Sequence, residues 1–368
     1  MEIKREKTPI GGKIKRNFIL AALLLAAGGL TSALAGRLPG MAEWYSTHIY
    51  PIIVATVGRF FGIFPFSFAE MGLYALILTV IVTGIYTSLK IIRKKSRPLW
   101  ALYYLSGLIL TAAVLLALYV FNCGINYRRI SFSQVTGMET GSYTREELTQ
   151  VCLWLTDEVN ARAGQVTRDS DGLMILEAPE GPSAVDAMKQ LAGTYPALGG
   201  YYPQPKGVTF SQILSYQKLS GVYSPFTVEA NYNKAMTDYN IPFTACHELS
   251  HLRGFMQEEE ANFIAFLACK DSERMDFQYS GYLMAWIYAT NALHSADRDT
   301  WRDICDTLAP EVFTDLSANN AFWKRYDGAV AKVSGKVNDT YLKANGQKDG
   351  VLSYDRMVDL LVVYYAAR

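Results

Sequence analysis

Three stretches of this chain, 17–36, 71–89 and 98–122, carry no charged residue and are rich in Leu, Ile, Val, Ala and Tyr. Each is close to the ~20 residues that an α-helix rising 1.5 Å per residue needs to cross a hydrocarbon core of about 30 Å. Core helices of soluble proteins rarely stay free of charge over such a length. The sequence therefore predicts a membrane domain over 1–122 with three transmembrane helices, followed by a larger domain over 123–368. The first stretch also resembles a signal peptide, because Lys13, Lys15 and Arg16 precede it and Ala33-Leu34-Ala35 looks like a cleavage site. Its length and the two later spans favour an uncleaved anchor. Segment 45–66 is too apolar for a solvated loop, yet His48, Pro51 and Arg59 interrupt it, so it reads as an interfacial or re-entrant helix.

Charge sets the expected orientation. Lys4, Arg5, Lys7, Lys13, Lys15 and Arg16 precede the first span, and Lys90, Arg93, Lys94, Lys95 and Arg97 separate the second from the third. In the first loop, Arg37 and Arg59 are balanced by Glu43 and Glu70. Cytoplasmic flanks carry the positive excess, so the N-terminus is expected in the cytoplasm and 123–368 outside the cytoplasmic membrane. From Cys123 onward 22 basic residues face 30 acidic ones, with no basic stripe to pair with phosphates, which argues against nucleic acid as a partner. The five cysteines are scattered without a C-x-x-C pair, so neither a zinc ribbon nor a dense disulfide framework is expected.

The part beyond 122 reads as mainly α. Thr144 with Glu147 forms a capping-box pattern, and Leu148, Val151, Leu155 and Val159 follow at helical spacing, predicting a helix over 144–162. Strand-like runs are few, at 173–176, 207–210 and 221–228, enough for a small β-sheet.

The chemistry concentrates in Phe243–Leu267, FTACHELSHLRGFMQEEEANFIAFL. His247 and His251 lie four apart, one helical turn along the same face, where their imidazoles can converge on one Zn²⁺, and Glu248 between them is placed as general base toward zinc-activated water. Pro242 suits the start of this helix and Gly254 its end. Catalytic zinc usually keeps three protein ligands, and Glu258 is the candidate third. On one unbroken helix, the seven residues from His251 to Glu258 would cover about 10 Å, so Gly254 must break the helix and a second one must return. Asn262, one turn after Glu258, would then support a ligand imidazole. Glu259 and Glu260 remain alternatives to Glu258 at this point.

Glu258-Glu259-Glu260-Ala261-Asn262 resembles the E-x-x-A-[DN] glutamate helix of gluzincin metallopeptidases. That resemblance implies Glu258 as the third ligand and Asn262 as the residue steadying a histidine. The connection after His251 is short for a gluzincin. A metzincin would place its third histidine at 257, where this chain has Gln257. Over a longer range PFSFAE (65–70), GINYRR (124–129), SPFTVEANYN (224–233), the HELSH block and YSGYL (279–283) resemble a bacterial membrane family catalogued as domain of unknown function 3810. It implies membrane attachment and a zincin-like domain.

Other residues carry weaker signals. Tyr279 and Tyr282 are candidates to steady an oxyanion, although core packing is the commoner role of such aromatics. Cys246 faces away from the shared face of the histidines, His48 and His294 belong to no motif, and Asp169-Ser170-Asp171-Gly172 reads as a turn. The sequence thus leads to a membrane-anchored zinc metallopeptidase acting on an extracytoplasmic polypeptide. The alternative is a non-catalytic envelope protein whose zinc is structural and which binds a peptide or wall component.

Overall fold

The structure, a computed structural model, describes residues 9–38, 40–93, 97–138 and 140–368. Lys4, Arg5, Lys7, Lys94 and Lys95, which carry part of the charge asymmetry, lie outside the described residues. Three helices, Ile10–Arg37, Phe68–Arg93 and Pro98–Arg128, are long and apolar enough to cross a membrane. Their apolar side chains are mostly turned outward, as a lipid solvent requires. A few polar contacts fix them to one another: Asn17 Nδ2 donates to Ser106 Oγ at 3.1 Å, and Tyr104 donates to the Val80 carbonyl at 2.9 Å.

The segment expected at the interface is helical from Met41 to Gly62, with π-turns at Tyr45–Ile49 and Val54–Gly58. Wider turns let residues four apart, Ser46, Tyr50, Val54 and Gly58, stay on one buried face, where a regular helix of 3.6 residues per turn would drift. Trp44, Ile52 and Phe60 point outward on the other side.

The remainder is mainly helical around a three-stranded sheet in the order β1 (Lys206–Gly207), β3 (Glu229–Tyr232), β2 (Gly221–Ser224). β1 and β3 run parallel, β2 and β3 antiparallel with Val222 opposite Asn231. Of the expected strand runs, 221–228 forms β2 and its turn and 207–210 supplies only the end of β1. The run 173–176 is reduced to a single bridge between Arg168 and Met174. The capping box is present, with Thr144 and Glu147 exchanging hydrogen bonds ahead of the helix Arg145–Ala163.

The larger of two hydrophobic clusters among the described residues spans both parts of the chain. It joins Tyr50 and Val54 from before residue 122 with Phe132, Val151, Leu249, Phe263, Leu283 and Leu361, so the segment 41–62 packs into the larger domain. Helix Asn240–Leu252 sits at the centre of this core, every one of its residues buried. A helix surrounded on all sides can hold ionisable side chains away from water, provided that each finds a partner.

Candidate metal centre

Helix Asn240–Leu252 ends where Gly254 adopts φ 88°, a conformation glycine takes without steric cost. Gly254 N–H donates to the His251 carbonyl at 2.8 Å and Phe255 N–H to Ser250 at 3.2 Å, which closes the last turn. The chain passes through buried Phe255 and Met256 and begins a second helix at Glu258, running to Lys270. Reversing at Gly254 brings Glu258 back beside the histidines.

Glu258 Oε2 lies 3.2 Å from His247 Nε2 and 3.5 Å from His251 Nε2. One ligand atom from each of the three residues falls within 4.8 Å of the others, and all three residues are buried. The far nitrogen of His251 is occupied: Nδ1 lies 2.9 Å from the Phe255 carbonyl, which can only accept, so Nδ1 carries a hydrogen and Nε2 is the atom that offers a lone pair once the ring is neutral. Asn262 interacts with the His247 ring and donates its amide to the Tyr354 carbonyl at 3.3 Å. Glu258 Oε2, though it faces both rings, makes no well-directed hydrogen bond. Three lone-pair atoms converging on one point, with a buried oxygen left over, fit a cation better than they fit one another. Two imidazoles and one carboxylate are a donor set suited to a divalent transition metal with a position left open.

Without a cation, the charges are strongly coupled. Burial would raise the Glu258 carboxyl, but the imidazoles, His251 foremost, bring it down to about 2. Burial would lower His251, and Glu258 beside it reverses this and holds it at about 9. His247 is pulled down by its burial. Glu248 is pushed up to about 8, chiefly by burial, and its Oε2 has no hydrogen-bond partner.

The structure also separates the three consecutive acids. Glu260 accepts from Ser133, N–H at 2.9 Å and Oγ at 2.5 Å, and Glu259 accepts from Gln347 at 2.7 Å. Only Glu258 reaches the histidines. Cys246 is buried and contributes nothing to the cluster.

A cavity of about 310 Å³ opens onto His247 and Glu248, with Gly221, Asn262, Tyr288 and Tyr354 in its wall. Tyr279 and Tyr282 are not in it. Tyr279 donates to Asp315 at 2.6 Å, and Tyr282 packs edge-on against Trp154 and Phe266. The phenols at the cavity are Tyr288 and Tyr354, which no motif marks; only tertiary packing places them there. A larger cavity of about 1000 Å³ lies beyond the Glu258 turn, lined among others by Arg128, Gln257, Glu259 and Lys348, and does not reach the histidine pair.

Fold and cluster together define a membrane-attached helical protein with a buried site able to hold a metal ion. The chain belongs to the family described as "Protein of unknown function (DUF3810)", which matches residues 45–362. No curated protein and no solved structure matches it.

Proposed function

We propose that the protein is a membrane-anchored zinc metallopeptidase whose larger domain lies on the extracytoplasmic side. The observation that carries the reading is the convergence of His247 Nε2, His251 Nε2 and Glu258 Oε2 beside a buried Glu248 carboxylate whose Oε2 has no hydrogen-bond partner, in the wall of a cavity. His247, His251 and Glu258 would hold the ion, with His251 fixed by the Phe255 carbonyl and His247 supported by Asn262. The chemistry that zinc supplies when bound is Lewis-acid activation of water and of a carbonyl group.

The chain's own part is proton transfer and positioning. Glu248 takes a proton from the attacking water and returns it to the leaving amine, a role suited to a carboxyl whose proton affinity is raised toward neutrality. Tyr288 and Tyr354 border the same cavity and offer hydroxyls to a substrate carbonyl. The orientation rests on the basic flanks of the spans. A closed structural site would need a fourth protein ligand, and among the described residues the cluster supplies three.

The test is elemental analysis of the detergent-purified protein after loosely bound metal is removed, with His251→Ala and Glu258→Ala beside it. Zinc near one equivalent, lost in both variants, is expected. Glu248→Gln should retain zinc and lose cleavage of a pool of quenched-fluorescence peptides. Folded wild type without zinc would overturn the reading.

A further inference from the structure

The cleft leading to Glu248 has two lips. One is the loop Gln217–Gly221 with the short helix Gln212–Tyr216 before it, and the other is the helix Ala329–Ala344, which contributes Ala331, Ser334, Gly335 and Asn338 to the wall. That second helix has three faces. Its cleft face is small and polar, Lys332, Lys336 and Lys343 lie on an exposed face, and between them runs a stripe of Val330, Val333 and Val337. These valines are 54%, 62% and 63% exposed. The opposite lip repeats the pattern, with Phe210, Ile213 and Tyr216 also about half exposed.

Both stripes adjoin the ends of membrane-spanning helices. Tyr74, near the start of the second, meets Phe210 edge to face at 5.8 Å between ring centroids. Tyr119, at the end of the third, meets Tyr341 at 6.0 Å, one turn beyond Val337, and its hydroxyl reaches Asn345. Tyr216 and Tyr326 touch at 5.1 Å and join the two lips at the far side. The strand β2, which passes Glu248 at Gly221, leads to Pro225, whose carbonyl accepts from Asn122 at 2.7 Å. Met256, two residues before Glu258, lies 3.8 Å from Cys123, in the C-terminal part of the third membrane-spanning helix. The metal cluster thus lies close to the C-terminal end of the third membrane-spanning helix.

Apolar side chains in such positions are unfavourable in water and are what an interfacial helix presents to the boundary between head groups and acyl chains. We propose that both lips of the cleft rest in that boundary, in the leaflet on the side of the larger domain. The cleft then opens at the membrane surface and takes polypeptide segments tethered there. The tethered substrate rests on the peptidase reading; the seating of the lips does not.

Depth-dependent quenching tests the seating. An environment-sensitive fluorophore is placed at Val333→Cys, Val337→Cys or, as a control on the same helix, Lys336→Cys, each in a Cys305→Ser background. The full-length proteins are reconstituted in vesicles of phosphatidylcholine and phosphatidylglycerol with and without acyl-brominated lipid. Emission should fall about twofold or more at 333 and 337 and change little at 336. Equal, weak quenching at all three positions overturns the proposal, as does a probe shielded from water yet untouched by brominated lipid, the signature of a partner protein or a second copy.

Substrate access is tested with the quenched-fluorescence peptide pool in two forms, with and without an N-terminal palmitoyl chain, on reconstituted zinc-loaded protein. The anchored pool should be cleaved at least about tenfold faster. Equal rates overturn membrane-surface access and leave the peptidase reading standing. Cleavage of neither pool counts against the peptidase reading, and the quenching result still decides the seating.

Discussion

Gly221 and Glu248 share one space: a Cβ built on Gly221 would overlap the Glu248 carboxylate and crowd Thr244. Glycine at the start of β2 is therefore a condition for the position of the proposed base. Gly221→Ala should leave the zinc content unchanged while reducing peptide cleavage at least about tenfold, with overpacking costing on the order of 1–3 kcal/mol of stability. Zinc analysis, thermal unfolding and turnover measured on one preparation check this. Wild-type turnover in the variant would show that Glu248 need not stay where it is.

The acids 258–260 should differ in kind. Glu258→Ala is expected to abolish zinc binding, since among the described residues the cluster contains no other carboxylate. Glu260→Ala should keep the zinc and lower stability by about 1–3 kcal/mol, because it strands the Ser133 N–H and hydroxyl that Glu260 now satisfies. Metal content and unfolding midpoint, measured for each variant, separate the two roles. Loss of zinc in Glu260→Ala with the fold intact would point to another ligand.

Metal uptake should release a proton. In the metal-free chain Glu258 overrides burial and holds His251 at about 9, while Glu258 itself sits near 2 and His247 is lowered. Near pH 7, His251 is thus the ligand that starts protonated, and its Nε2 must lose that proton to bind. Affinity should rise with pH, about tenfold per unit, up to roughly pH 9 and then level off. Calorimetry of zinc binding in two buffers of different ionisation enthalpy should give about one proton released at pH 7. The measurement is cleanest in Glu248→Gln/Glu259→Gln, which removes two nearby carboxyls that burial pushes into this range, Glu248 to about 8 and Glu259 to about 7. No proton release would mean that His251 enters the reaction neutral.

Local rules carried the sequence reading as far as they reach. The spans follow from length and absence of charge. The Thr144 cap follows from its spacing to Glu147, and the return of Glu258 from the distance that an unbroken helix would impose. Each depends on residues a few positions apart. Tyr279 and Tyr282 share a helix with Tyr288, and only packing against distant elements decides that the first bonds Asp315, the second stacks on Trp154 and the third borders the cavity. The run 173–176 has strand-like composition but no partner strand beyond the bridge to Arg168, so its backbone pairs in a local turn. The apolar segment 45–66 signals an amphipathic helix, yet its sequence does not say that Tyr50 will bond the Tyr223 hydroxyl in the core of a domain far along the chain.

The least legible feature is a reciprocal clamp between the sheet and the second span. Glu229 of β3 accepts from the N–H groups of Phe68 and Ala69, at 3.1 and 2.7 Å, at the N-terminus of that membrane helix, and pairs with buried Lys206 of β1 at 2.5 Å. Glu70 of the span answers by accepting from the N–H groups of Thr209 and Phe210, both at 2.8 Å. Each carboxylate thus satisfies backbone donors on the other element, and Glu229 also complements the positive end of the helix dipole. Glu229→Ala would leave Lys206 buried opposite no charge and two helix donors open, a loss on the order of 3–5 kcal/mol. Lys206→Met, which removes the cation but keeps the capping carboxylate, also leaves an unpaired buried charge and should destabilise comparably. The double variant Lys206→Met/Glu229→Gln should recover much of the loss, because the pair is removed together while the amide oxygen still accepts one N–H. Unfolding in detergent, followed for Lys206→Met, Glu229→Gln and the double, measures this coupling. Simple additivity of the two losses would show that the charges act independently and that the clamp is held by its backbone contacts alone.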